Sequence, residues 1–321
     1  MRTDKLRPVP PGVMHMERLQ QFAGLAARDV KKIDRFSLLA LAAAKSVLDE
    51  TELTAEDRMN CGIINGNMVA GWTFTEPQLR ALYRSGLQSV SPYLATAWFP
   101  AAPQGQVTIH LKIRGVAKTV TTDRCAGAQA IGLGYEHIRT GRSKLLLAGG
   151  VEAPLTPFVK SVPQHAWMNG QLSEGAAYLL LSSQLEAPMA ILAHETFPVH
   201  GLVPLPHELL QRRLLRLWGG LRMDCSPSVV ICNVPADTPL EEAVHRCVAE
   251  ILPGAAVMFP TRAFGETLAA SGAIAVTIAC AELAALPNGG IAVALSLGHQ
   301  CCDLLCVTKL SGGYSHGKQT C

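Results

Sequence analysis

Residues 119–152 read TVTTDRCAGAQAIGLGYEHIRTGRSKLLLAGGVE. The β-branched run Thr119, Val120, Thr121, Thr122 predicts a buried strand, and Asp123 is a suitable N-cap for a small-residue helix over 125–139. Gly141 stops that helix, and the Leu/Ala run over 144–148 predicts a second strand. Strand, helix and strand in this order make a right-handed crossover within a covered parallel sheet. The first turn of the unit matters most. A sharp strand-to-helix turn presents one side chain at a helix N-terminus, where unpaired N–H groups and the helix dipole favour an anion or a thiolate.

Outward from this unit, 321 residues with 49% hydrophobic and 17% charged side chains suffice for a large globular core. The formal charge of +3 is small and its Lys and Arg are scattered, so no nucleic-acid partner is expected. The ten Cys form no CxxC pair and no spaced Cys/His ligand set, which predicts reduced core cysteines and no metal. The start, MRTDKLRPVPPG, has no apolar signal core, and the apolar run 268–281 is too short to span a bilayer. A cytoplasmic protein with no membrane span and no cofactor is the expectation.

Residues 34–48 predict an amphipathic helix with Phe36, Leu39, Ala43 and Val47 on one stripe. A short strand over 61–64 runs into the loop 65–71, and Pro77 suits the first turn of a helix over 76–85. Glu186-Ala187-Pro188 marks the passage to a second half, with strands over 189–193, 228–232, 256–258, 291–295 and 304–308. Its helices are expected over 209–218, 240–252 and 265–286. The predicted organisation is 1–185, 186–312 and a frayed tail at 313–321.

Several motifs then resemble one family. Gly127-Ala128-Gln129-Ala130-Ile131-Gly132, the stretch 91–107 and Ser173-Glu174-Gly175-Ala176 are similar to the β-ketoacyl synthases of the thiolase superfamily, and the likeness runs over about 34–310. The resemblance implies an α/β, thiolase-like layered αβαβα fold of two pseudo-repeated halves, here trimmed. It also implies a shortened lid between Pro157 and Leu172. A condensing member uses a Cys at the helix turn and two His residues that stabilise charge developing on a thioester oxygen. Counting back from Gly127 without a gap puts Arg124 at the nucleophile position and Cys125 one residue late. One residue is about 100° of helix rotation, so Cys125 points elsewhere unless the turn is one residue shorter. At the first His position stands Val234; in the second segment Thr261 replaces the Lys and Glu266 the His. Valine offers no donor, and a carboxylate repels developing negative charge. An Arg124–Glu266 salt bridge filling the vestigial cavity is therefore predicted, against two side chains turned separately to solvent.

The family contains such silent subunits, the chain-length factors (KSβ) of type II polyketide and aryl-polyene-like systems. The resemblance implies a heterodimer with a catalytic ketosynthase subunit, an acyl carrier protein as further partner, and a tunnel for the polyketide or polyene acyl chain. Met68, Trp72, Phe74 and Phe99 are the gate candidates, and Phe74 aligns with a pocket position of the family. The strand Lys118, Thr119, Val120, Thr121, Thr122 would pair with its counterpart in the partner, and the basic run 211–216 either faces the carrier protein or is a solvated face. His137 is expected to be a partly exposed surface residue. Two other functions stay open: an acyltransferase or thioesterase-like enzyme using Cys125, and a carrier-binding scaffold.

Overall fold

Apolar runs suited to buried strands recur in both parts of the chain, and the computed structural model gathers them into two sheets. It describes residues 14–162, 171–199, 207–220, 227–287 and 289–310. In chain order come α1 (Met16–Ala23), α2 (Ala27–Val30), α3 (Arg35–Asp49), α4 (Ala55–Asn60), β1 (Gly62–Asn67), α5 (Trp72–Ser85), α6 (Leu94–Ala97) and α7 (Ala102–Leu111). Then follow β2 (Ala117–Thr121), α8 (Ala126–Arg139), β3 (Leu145–Glu152), α9 (Pro157–Ser161), β4 (Gly175–Ser182) and β5 (Met189–Pro198). The last are α10 (His207–Gly220), β6 (Val229–Asn233), α11 (Pro239–Ile251), β7 (Ala256–Met258), α12 (Pro260–Phe264), α13 (Ala269–Ala285), β8 (Ile291–Leu297) and β9 (Cys301–Lys309).

The first sheet has the order β2-β1-β3-β4 and the second β5-β9-β8-β6-β7. In the first, β1 is parallel to β2 and β3, and β4 is antiparallel to β3. In the second, β6 is parallel to β7 and β8, and β9 is antiparallel to β8. Apart from β5, order and direction repeat, and α8 leads into β3 as α13 leads into β8. Helices α8 and α13 lie between the sheets, where Ile64, Ile131, Leu146, Ile231, Val276 and Leu305 form the central core. Phe36, Leu41 and Val107 cover the outer face of the first sheet, and Leu210, Val244 and Val248 that of the second. The result is the layered αβαβα arrangement of two repeated halves.

Small residues make the middle layer thin enough. A Cβ at Gly66 would overlap the Ala126 carbonyl, one at Gly127 the Ala269 carbonyl, and one at Gly150 the Gly127 backbone. These absent side chains let α8 approach β1, β3 and the start of α13.

Several sequence expectations are corrected. The 119–122 strand is not buried: β2 is a sheet edge with exposed or half-buried side chains, because no strand among the described residues lies beyond it. Helix α3 buries Phe36, Leu38, Leu41, Ala44 and Leu48, more than one stripe, since it packs against both α1 and α7. Helix α5 starts at Trp72 and carries Pro77 inside it, because Asp34, far off in sequence, accepts from Phe74 N at 2.6 Å and secures the first turn. The helix expected over 265–286 is broken by positive φ at Gly265 and Leu268. His137 is buried, at 5% exposure, and burial, with Lys118 and Arg142 adding to it, depresses its pKa. The terminal segments 1–12 and 313–321, and most of the expected short lid, lie outside the described residues.

Candidate functional site

The turn from β2 into α8 is fixed by Asp123, which does not cap the helix as its spacing suggested; Cys125 holds the N-cap position. Asp123 Oδ1 accepts from Cys125 N at 2.9 Å and its Oδ2 from Gln300 N at 2.8 Å, tying the turn to the β8–β9 connection. With the turn held this way, Arg124 projects inward and is 1% exposed.

Arg124 Nη2 donates to Glu266 Oε2, closing the expected buried pair. The chain break before α13 serves this contact. Glu266 lies in a short bridge to Leu172, its N donating to Gln171 O at 2.8 Å and its O accepting from Ser173 N at 2.8 Å. Its Oε1 accepts from Leu268 N at 2.8 Å and from Ser271 Oγ at 3.3 Å. Burial lowers the Arg124 pKa to about 10 against the pull of Cys125 and Asp123, so the guanidinium stays charged at neutral pH. Its Nε and Nη1 have no hydrogen-bond partner among the described residues.

Cys125 sits on the far side of the turn and is fully buried. Its thiol donates to Ser296 O and Cys301 O, each at 3.3 Å, two backbone carbonyls and not an imidazole. Burial first, then the neighbouring Cys301, Asp123 and Asp303, push its pKa well above the ordinary thiol value. Such a sulfur is a poor nucleophile. Asp123, Cys125 and Cys301 do cluster closely, but Cys301 Sγ also donates, at 3.3 Å, to Asp123 Oδ1, and the set is closed by its own hydrogen bonds.

The two other altered positions also meet. Val234 is fully buried, and its carbonyl accepts from Thr261 Oγ1 at 2.6 Å. The four replacements thus form two contacts, Arg124 with Glu266 and Thr261 with Val234.

Met68, Trp72 and Phe74 are half-buried on the β1–α5 connection and the start of α5, and the Trp72 ring stacks on Phe158 at 4.3 Å. Trp98 and Phe99 are exposed at 51% and 38%, so that pair is not core. Asn67 Nδ2 donates to Pro100 O at 2.7 Å and Gly71 N to Trp98 O at 3.0 Å, which joins both groups into one surface. Lys118, Thr121 and Thr122 are exposed along the open β2 edge, with Thr119 and Val120 half-buried. In the basic run, Arg213 pairs with Glu195 at 3.0 Å while Arg212 and Arg216 are exposed.

Sequence reasoning missed Asp34 and Glu152, fully buried carboxylates that bind backbone amides around the β1–α5 connection. Their only signal was an acid where an apolar run begins or ends.

Two repeated sheets with a paired-helix middle layer, and a side chain aimed inward from the β2–α8 turn, define a protein of the thiolase fold. Residues 14–168 match the β-ketoacyl synthase N-terminal domain. Nodulation protein E of Rhizobium leguminosarum bv. trifolii is 34% identical over 131 residues, 40% of this chain and 33% of the relative. The actinorhodin polyketide putative β-ketoacyl synthase 2 of Streptomyces coelicolor is 31% identical over 136 residues, 42% of this chain and 33% of the relative. Each match spans about a third of the relative's length. The solved ishigamide ketosynthase/chain length factor shares the fold, with a TM-score of 0.77 at 20% identity over 91% of this chain and 85% of that one.

Proposed function

We propose that this chain is a non-catalytic subunit of the chain-length-factor kind. It heterodimerises with a catalytic β-ketoacyl synthase through the β2 edge. Met68, Trp72, Phe74 and Phe99 then shape the tunnel along which a polyketide or polyene chain, delivered by acyl carrier protein, extends. The observation that carries this reading is the Arg124–Glu266 pair: the cavity where a thiol and an imidazole would meet holds a charge-neutralised plug. A guanidinium cannot accept an acyl group, and the buried, hydrogen-bonded Cys125 thiol is no substitute. The open β2 edge supports the dimer, since an unpaired edge is a template for a second strand. The likeness to a ketosynthase/chain length factor structure supports the same assignment. Among the described residues no helix is long and apolar enough to cross a membrane, which suits a cytoplasmic subunit.

The test is co-expression with a catalytic ketosynthase and its carrier protein, followed by mass measurement of the complex and of its products. A one-to-one complex whose product length changes on Phe74→Ala is expected. A chain that never joins the ketosynthase, or that itself takes up the acyl group, overturns the reading.

A further inference from the structure

Two carboxylates outside the refilled cavity are closed off from solvent, Asp34 at 1% exposure and Glu152 at 0%. Backbone amides are their partners. Asp34 Oδ1 accepts from Phe36 N at 2.9 Å, in the first turn of α3, and its Oδ2 accepts from Phe74 N at 2.6 Å, in the first turn of α5. Helix α5 has no capping side chain of its own, because its N-cap is Gly71. One carboxylate therefore serves two helices.

Glu152, the last residue of β3, accepts from Met68 N at 2.8 Å and Val69 N at 3.2 Å, and lies beside Ala269, which opens α13. That helix likewise lacks a side-chain cap, its N-cap Leu268 being held at φ 46°. The braced connection contains Ala70 at φ 61°, a left-handed conformation that an alanine holds only when its surroundings impose it. Four amides, those of Phe36, Phe74, Met68 and Val69, thus converge on two buried acids. Two belong to gate residues.

We infer that Asp34 and Glu152 are the positioning residues of the gate: they fix the backbone from which Met68 and Phe74 project, and through it the product length the tunnel admits. The inference rests on the tunnel-shaping reading above. The charged groups of the packed elements are already paired: Arg35 of α3 with Glu174, Glu76 with Arg80 in α5, and Arg124 with Glu266 before α13. Among the described residues neither acid has an ion-pair partner, although the Arg35 charge still pulls the Asp34 pKa down. Burial raises Asp34 to about 7 and Glu152 to about 8, the latter helped by the Asp34 charge. The unfolded carboxyls ionise at about 4, so stability falls as pH rises from there, and the loss is complete once the folded acids ionise at about 7 and about 8. The amide bonds themselves favour the anion, since both oxygens of each acid accept: a neutral acid turns an O–H toward one of these amides and the brace is loose, whereas ionisation tightens it.

The experiment uses the assembled complex of this chain, a catalytic ketosynthase and its carrier protein. The ratio of over-length to normal product is followed across this pH range; a ratio cancels the pH dependence of the overall rate. The expected result is a several-fold fall in over-length product as the pH climbs. Glu152→Gln should flatten the profile, Glu152→Asp should keep a titration, and Asp34→Asn should move the midpoint down. If Glu152→Gln fails to assemble, the unmodified complex and Asp34→Asn carry the test. Phe74→Ala is the control. A changed length with Phe74→Ala but a flat pH profile in the unmodified complex overturns the brace and leaves the tunnel reading standing. Unchanged length with Phe74→Ala overturns the tunnel reading, and the brace with it.

Discussion

Replacing Glu266 by leucine leaves a guanidinium in a closed cavity with no partner among the described residues, because Nε and Nη1 of Arg124 are already unpaired there and Nη2 donates only to this carboxylate. Removing one member of a buried pair costs roughly 3–5 kcal/mol. The geometry puts Glu266→Leu at the upper end of that range. Arg124→Met belongs at the lower end, since the stranded carboxylate keeps its bonds from Leu268 N and Ser271 Oγ. A loss of this size lowers the folded-to-unfolded ratio by about two to four powers of ten. The double replacement by apolar residues of similar volume should return to within about 1 kcal/mol of the parent. Urea unfolding of the complex at one fixed protomer concentration reads all four corners of the cycle, a precaution needed because association adds to apparent stability. A Glu266→Leu cost under about 1 kcal/mol, or a double variant as damaged as the two single losses added together, would refute the argument.

Three further outcomes are expected. Cys125 should resist a small alkylating reagent in the folded chain and react only on unfolding, by peptide mass mapping; stable acylation of Cys125 by a carrier thioester would contradict its hydrogen-bonded, raised-pKa state. Thr121→Lys, at an exposed position of the β2 edge, should weaken association with the ketosynthase at least tenfold, about 1.4 kcal/mol, without lowering the chain's own unfolding midpoint. Burial alone would lower the His194 pKa, but its 2.8 Å contact with the Asp303 carboxylate, with the Glu136 and Glu195 charges adding to it, outweighs that and raises it. The stabilisation from this pair should therefore be complete below the unfolded-state histidine value of about 6.5 and fade as pH rises through the folded one; denaturation midpoints across that window should follow the trend, and His194→Gln should flatten it.

The fold was legible where local pattern and tertiary role coincide. The apolar runs behind β3, β6 and β8 are buried along their whole length, so their composition announced them. The duplication was legible as a second series of such runs, and the refilled cavity because Arg124 stands a fixed spacing before Gly127 and Glu266 a fixed spacing after Thr261. Distant groups decided the rest. Nothing in residues 71–77 tells that Asp34 caps α5, so the helix start was misplaced beside a proline that normally opens a helix. His137 looked like a surface residue because the charged Glu136 and Arg139 flank it, whereas the packing of Lys118 and Ser143 over the ring closes it off. The pairing of Thr119–Thr122 inside this chain could not be read either, since a β-branched run looks the same at a sheet edge as at its centre.

The altered positions make better sense as one rearrangement than as separate losses. Arginine at the helix turn alone would bury a lone cation, and glutamate before α13 alone would bury a lone anion; each is tolerable only with the other. Valine in the β6–α11 connection removes a side chain that would need a polar partner, while Thr261 satisfies the carbonyl left behind. The start of α13 is common to both sides of the molecule. Its Ser271 holds the plug through Glu266, and its first residue lies beside Glu152, which grips Met68 and Val69. A cavity closed by a rigid charged pair gives that helix end a fixed position, to which the proposed gate is referenced. Loosening the plug should therefore disturb product length as well as stability, and the Glu266→Leu complex should show both effects together, whereas the apolar double variant should recover both.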